Sequence, residues 1–178
     1  MVGPVYQLTK IKSIKGVNKL KFPRIEKKFE FKMDDLKAKG VIGTGQCTVR
    51  KYLHTPSQQI LAIKFIHIPL SRFDDPASRQ RFKRVKREIE NSKMISKSPN
   101  IVDFYGFCVH DLQVLLCMEV MDRSLKDLFM RVHQLGLEFR EDMIGYIAVS
   151  IIDAMVFCKS KGIIHRDIKP PNVLINNK

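Results

Sequence analysis

His165–Arg166–Asp167–Ile168–Lys169–Pro170–Pro171–Asn172–Val173–Leu174 is the stretch whose reading decides the fold. It sets an acid, a cation and an amide within six residues, with prolines stiffening the backbone between the last two. A charged turn between two strands can have the same composition. The spacing suits a more particular job. A carboxylate accepts the proton of an attacking hydroxyl, a lysine neutralises a phosphate, and an amide oxygen binds a magnesium ion. If that is its chemistry, the residues before it must supply a nucleotide site.

Working back from the loop, Gly40–Val41–Ile42–Gly43–Thr44–Gly45 is a stretch where the chain can approach a phosphate closely, because Gly43 and Gly45 accept backbone angles that other residues resist. A dinucleotide-binding loop would run straight into a helix, and a P-loop would continue as Gly-Lys-Ser/Thr. Here the sequel is an apolar run, a turn at Thr55–Pro56–Ser57 and a second apolar run, so the glycines cap a β-hairpin. In the second run Ala62 and Lys64 share one face, opposite Ile63. Lys64 is either a solvent-facing lysine on a half-exposed sheet or, with the small Ala62 beside it, part of a surface fit for a purine and its phosphates. The following basic stretch, residues 78–97, reads as a helix with Phe82, Val85, Ile89 and Ser92 on one stripe. Glu88 lies beside that stripe, able to turn inward to Lys64, whereas Glu90 faces water. Two β-like runs follow, at residues 101–109 and 113–120.

Composition bounds the alternatives. The 178 residues are 44% hydrophobic and 28% charged, as in a globular chain. The apolar run 144–158 is interrupted by Gly145, Ser150 and Asp153, and is expected to be too short for a bilayer. No membrane partner is expected, and residues 1–10 lack the apolar core of a secretory signal. Cys47, Cys108, Cys117 and Cys158 are scattered without metal-ligand spacing and read as reduced thiols in an intracellular, cytoplasmic protein, with the nucleus as a second compartment. The net charge of +14 is concentrated in residues 10–39 and 72–97. With no nucleic-acid module and few stacking rings beside it, this charge is read as solvated surface and as docking onto an acidic protein partner, not as nucleic-acid binding.

Residues 1–30 read as a flexible basic tail. Within it Lys15, Lys19, Leu20, Lys21, Phe22 and Pro23 form a basic cluster followed by an apolar pair. In extended chain Leu20 and Phe22 point the same way, where both can enter a groove while the lysines meet acidic side chains.

Taken in order, Gly43-x-Gly45, Ala62–Ile63–Lys64, Glu88, Cys117–Met118–Glu119–Val120–Met121–Asp122 and the loop from His165 resemble the signatures of a protein kinase. The likeness is to the dual-specificity MAP kinase kinase family, in its stress-pathway branch, and covers residues 19–178. It implies an α+β, protein-kinase-like fold: a five-stranded antiparallel sheet with one helix over residues 31–121, then the first helices and catalytic loop of a second, incomplete helical lobe over 122–178. It implies ATP and Mg²⁺ as cofactors. Lys64 would hold the α- and β-phosphates and pair with Glu88. Ile42, Gly43, Gly45, Val49, Ala62, Met118 and Leu174 would enclose the nucleotide, with the backbone of Glu119 and Met121 at the adenine edge. Asp167 would orient the substrate hydroxyl, Lys169 would contact the γ-phosphate, and Asn172 would ligate Mg²⁺. The implied partners are a downstream MAP kinase, docked through the Lys15, Lys19, Leu20 and Phe22 region, and an upstream MAP kinase kinase kinase. The alternative is a catalytically inactive fragment or regulator that binds a MAP kinase through the basic tail.

The chain departs from the family pattern in several places. The glycine loop is one residue short and carries Gln46–Cys47–Thr48 in place of a third glycine, so a stiffer phosphate cover is expected. Lys39–Gly40 stands where the family has apolar residues, and Pro171 replaces a small polar residue. The sequence contains no D-F-G, activation loop or A-P-E, which leaves Asn172 as the one side-chain metal ligand among the motifs. Residues 141–161 read as a helix apolar nearly all round, expected to leave an exposed apolar patch.

Overall fold

A computed structural model describes residues 11–43, 47–68 and 76–176. The chain forms two compact units. The first comprises residues 1–93 and 103–120, the second residues 94–102 and 121–178.

In the first unit the hydrophobic runs pair as expected. Strands β3 (Leu36–Gly43), β4 (Thr48–His54), β5 (Gln59–His67), β6 (Phe104–His110) and β7 (Gln113–Met118) form an antiparallel sheet in the order β6-β7-β5-β4-β3. Two short strands, β1 (Lys19–Leu20) and β2 (Phe29–Glu30), extend it beyond β6. β5 lies in the middle and is buried on both sides, with Leu61, Ala62, Ile63 and Ile66 all enclosed. Helix α1 (Pro76–Ile95) covers one face, where Val85 and Ile89 pack with Ile66, Phe107, Val114 and Leu116. Phe82 joins this cluster from its rim, as the predicted stripe requires.

The other face corrects the expected flexible tail. Residues 11–31 are folded onto the sheet. Leu20 and Phe22 are fully buried and pack with Tyr52, Leu61, Ile63, Cys108, Leu115 and Cys117. Ile11 enters the cluster on the α1 side. The Asn18 N–H donates to the Phe107 carbonyl, that of Lys21 to Tyr105, and that of Phe31 to Asn18. Leu20 and Phe22 do share a face and do fill a groove, but the groove belongs to their own sheet. Docking of a MAP kinase through this pair is therefore not available in this conformation. The physical reason is that Leu61 and Ile63 need an apolar cover, and this segment is the cover they have. Residues 1–10 lie outside the described residues. The first boundary accordingly falls before residue 31, and the segment 94–102 groups with the second unit.

Close approach of β1 depends on Gly106. Leu20 is paired directly with it, its φ is 149°, and a Cβ built there would overlap the carbonyl oxygen of Lys19. Gly40 has φ of 129° at a register shift in β3, which accounts for a glycine where an apolar residue was expected.

The second unit contains β8 (Arg123–Ser124), α2 (Leu125–Gln134), α3 (Glu141–Ser160) and β9 (Leu174–Ile175), with β8 and β9 paired. Helix α2 went unread in the sequence. Its signal is Ser124 with Asp127 three residues on: the serine hydroxyl accepts from the Asp127 N–H at 3.1 Å and the carboxylate accepts back from Ser124. Helix α3 ends where Gly162 was expected to stop it. The N–H groups of Gly162 and Ile163 return to the carbonyls of Lys159 and Cys158, closing a Schellman turn at φ 70°. Of α3 only Ala154 and Cys158 are buried, and Ile144, Tyr146, Val149, Ile152 and Val156 are exposed, as the all-round apolar pattern led us to expect. At 20 residues α3 is long and apolar enough to cross a membrane by length and composition alone, which corrects the expectation that the run is too short.

His54 is buried beside Phe22 and Phe29, with ring centroids 5.3 and 5.1 Å away. Its Nδ1 shares a hydrogen bond with the Ser57 hydroxyl at 2.7 Å, and its Nε2 has no partner. Burial holds its pKa below the ordinary histidine value, against a smaller opposing pull from Asp35. The folded protein thus keeps His54 neutral, while the unfolded chain takes up a proton near pH ~6.5. Stability is then fully present above that pH and declines as pH falls below it. Urea unfolding across pH 7.5 to 5 is expected to show this slope, and His54→Phe to flatten it. For the β1 contact, Gly106→Ala is expected to cost roughly 2 kcal/mol or more, with loss of amide-exchange protection at Lys21. Unchanged stability and protection would contradict the close approach.

Candidate active site

The first unit brings together most of the residues expected around a nucleotide. Lys64 on β5 reaches Glu88 on α1, with Nζ 2.6 Å from Oε1. Lys64 is thus not a lone lysine on a solvent-facing sheet. The sheet is covered on that side by α1, and Glu88 turns inward while Glu90 stays exposed, 3.7 Å from Lys86. Both members of the Lys64–Glu88 pair are about a third exposed, at 32% and 39%, so water still reaches them.

Strand register places the remaining groups. Val49 is opposite Lys64, and Ala62 is opposite Met118, so these four share the face from which Lys64 projects. Ala62 is buried; Val49 and Met118 are half-buried. Gly43 pairs with Val49 at the end of β3, and Ile42, in the register shift before it, is largely exposed. Glu119 is half-buried and its N–H donates to the Asp103 carbonyl at 2.9 Å. Gly45 and Gln46 lie outside the described residues.

Met121, Leu174 and the loop belong to the second unit. The loop is wired through Asp167. Lys169 Nζ lies 2.8 Å from its Oδ1, and Asn172 Nδ2 donates to both its Oδ2 and its carbonyl at 2.8 Å. The Asp167 N–H leans on His165 Nδ1 at 3.4 Å. Arg166 has φ of 65°, an uncommon conformation for a residue with a side chain, and it reverses the chain between His165 and Asp167. Pro170–Asn172 forms a 3-10 turn closed by the Asn172 N–H on the Lys169 carbonyl at 2.8 Å. Pro171, lacking an N–H, fits that turn without losing a bond. Downstream, Leu125 N–H donates to the Val173 carbonyl and Asp122 N–H to Ile175, anchoring the far end of the loop to β8. The role of this strand pair was not anticipated; its residues are too few to carry a period.

Hydrogen bonds from Lys169 and then Asn172 hold the Asp167 carboxyl below the usual carboxylate range. It is therefore ionised at neutral pH, suited to accepting a hydrogen bond from a hydroxyl and orienting it. With Asn172 Nδ2 committed to Asp167, its Oδ1 is the atom that would face a cation. Among the described residues no three His, Cys, Asp or Glu side chains gather as a metal site. One amide oxygen fits Mg²⁺ only jointly with phosphate oxygens and water, which is how that ion is commonly held.

Residues 36–178 match the protein kinase domain family. The chain belongs to the protein kinase family. Within it, the chain is 34% identical over 160 residues to the MAP kinase kinase mkk-4 of Caenorhabditis elegans, covering 88% of this chain and 42% of that protein. It is also 34% identical over 133 residues to the dual specificity mitogen-activated protein kinase kinase sek-1 of the same organism, covering 74% of this chain and 38% of the relative. These relatives support the MAP kinase kinase type, and the chain spans less than half of their length. Helix α3 falls inside the matched kinase domain.

The Asp167 arrangement has a titration signature. Its carboxyl ¹³C resonance should titrate below the ordinary aspartate value, and Lys169→Met should move it upward. A midpoint unaffected by Lys169→Met would contradict the pair.

Proposed function

We propose that this chain carries the nucleotide-binding unit and catalytic loop of an ATP-dependent, dual-specificity protein kinase of the MAP kinase kinase type. Its substrate is a MAP kinase, phosphorylated on Thr and Tyr within a stress-signalling cascade, and it is itself acted on by an upstream kinase. The protein works in the cytoplasm. The observation that carries this reading is the 2.6 Å pair between Lys64 and Glu88, which presents a cation on the face lined by Val49, Ala62 and Met118.

The chemistry divides among the chain's own residues. Lys64, fixed by Glu88, neutralises and positions the α- and β-phosphates, while Ala62 and Val49 leave room for the flat base. Asp167, kept ionised, accepts the hydrogen bond of the attacking hydroxyl and aligns it. Lys169 moves from Asp167 toward the γ-phosphate as charge builds on the transferring group. Magnesium, bound with ATP, would neutralise the phosphates, with Asn172 as its ligand from this loop. The alternative of a regulator that grips a MAP kinase with Leu20 and Phe22 is disfavoured, since both side chains are buried in the sheet.

Mg-ATP is expected to raise the melting temperature of the 178-residue chain by a few degrees at about 100 times its Kd, following linkage. Lys64→Met should abolish most of the shift, and Asp167→Asn should retain it while removing phosphoryl transfer to a MAP kinase. No Mg-ATP shift in the wild-type chain, or a shift indifferent to Lys64→Met, would overturn the nucleotide-site reading.

A further inference from the structure

Helix α3 leaves its outer side uncovered, and the residues on that side follow a strict order. Ile147, Ala154 and Cys158 turn inward, the last two buried. The opposite side carries Asp142, Gly145, Val149, Ile152, Val156 and Lys159, at successive intervals of three, four, three, four and three residues. That is the 3.5-residue repeat along which two helices pack. All six are exposed, and Val149, Ile152 and Val156 each keep more than half of their surface in water. Gly145 costs the helix about 1 kcal/mol relative to alanine. No neighbour in its own chain demands it, since a Cβ built there meets nothing within 4 Å.

The row reads the same from either end. A second copy turned end for end about a two-fold axis between Ser150 and Ile151 sets Asp142 against Lys159, Gly145 against Val156 and Val149 against Ile152, each contact occurring twice. Acid meets base at both ends, a valine enters the space left by the glycine, and an apolar pair closes the middle. The same rotation brings Tyr146, exposed on one flank of the row, alongside Asp153 of the other copy, a phenol O–H beside a carboxylate. Parallel pairing would instead set Asp142 against Asp142 and Lys159 against Lys159. Asp142 is already held by Arg140 at 2.6 Å and both are exposed, so the end charges select the direction and add little energy. A bilayer is a poorer occupant, because burying this side in hydrocarbon would take Asp142, Asp153 and Lys159 with it.

We infer that α3 is a self-association surface, on which a second copy of this chain packs antiparallel through the row from Asp142 to Lys159. The loops that follow the two helices, each opening His165–Arg166–Asp167, then leave from opposite ends of the pair, roughly 30 Å apart for a 20-residue helix. Association therefore does not set one loop against the other, and it is independent of phosphoryl transfer.

The test is sedimentation velocity of the full chain. At about 50 μM the wild-type chain should sediment as a dimer and dissociate on dilution, as a micromolar Kd requires. Val149→Asp/Ile152→Asp should weaken dimerisation by roughly a hundredfold or more, since the pair would bury two carboxylates from each copy. Ile144→Asp/Met130→Asp makes the same chemical change at exposed positions off the row. It should alter dimerisation less than about threefold, with circular dichroism and thermal melts showing that both variants fold. Crosslinking reads the direction without introducing a charge. A bis-maleimide spanning about 8 Å, the separation of packed helices, should join Gly145→Cys chains to Val156→Cys chains when the two are mixed, above the background of the native cysteines. It should not join either variant to itself, whose sites lie about 16 Å apart along the pair. A wild-type monomer at that concentration, equal loss in the two double variants, self-crosslinking of Gly145→Cys, or transfer of the chain into phosphatidylcholine vesicles in place of dimerisation would overturn the proposal.

Discussion

Strand β5 has to be hidden on both sides, and the first unit is built to do it. Leu61 and Ile63 face one way and Ile66, with the covered Ala62, the other. A two-sided apolar strand at the centre of an antiparallel sheet leaves no face for water. Helix α1 supplies one cover through Val85 and Ile89, and residues 11–31 supply the other through Leu20 and Phe22. Lys64 gains its position from this arrangement. It sits next to the buried Ile63 at the middle of the strand, on the α1 side and at a point where that cover still admits water, so a cation is tolerated and can be shared with Glu88.

Much of this was legible in the sequence, because the elements that matter have periods. The apolar runs on either side of Thr55–Pro56–Ser57 and at residues 101–109 and 113–120 gave the strands, and the spacing of Phe82, Val85 and Ile89 gave the helix and the inward turn of Glu88. The loop at 165–174 was read from residue identity alone, and the structure joins Asp167, Lys169 and Asn172 by direct hydrogen bonds. What escaped was what lacks a period. Strands β1, β2, β8 and β9 have two residues each. Such strands exist through partners distant in sequence, as Leu20 does through Gly106. The lysines around Leu20 and Phe22 suggested a flexible tail whose apolar pair enters a partner's groove, yet exposed lysines alternate with buried apolar residues on any strand that covers a core.

The two units differ in what holds their functional groups. In the first, Lys64 and Glu88 lie 24 residues apart on different elements and depend on the packing of α1. In the second, the loop groups are held by contacts within six residues, from Asp167 to Asn172, and by the short β8–β9 ladder. Local wiring of this sort persists through motion of neighbouring elements, whereas the Lys64–Glu88 distance registers any shift of the helix.

That difference bears on the energetics of the ion pair. With both members about a third exposed, the Lys64–Glu88 bridge stabilises the fold by no more than about 1 kcal/mol. Burial of Val85 and Ile89 is worth roughly 1.5–3 kcal/mol for each side chain, and it is these contacts that seat α1. The pair is therefore a gauge of helix position and not its fastener. Anything that moves α1 by an ångström breaks the bridge at little cost to the domain, while the phosphate-binding lysine loses its orientation. A helix seated by one apolar face, with its other face exposed, is well placed to be moved, or held, from outside.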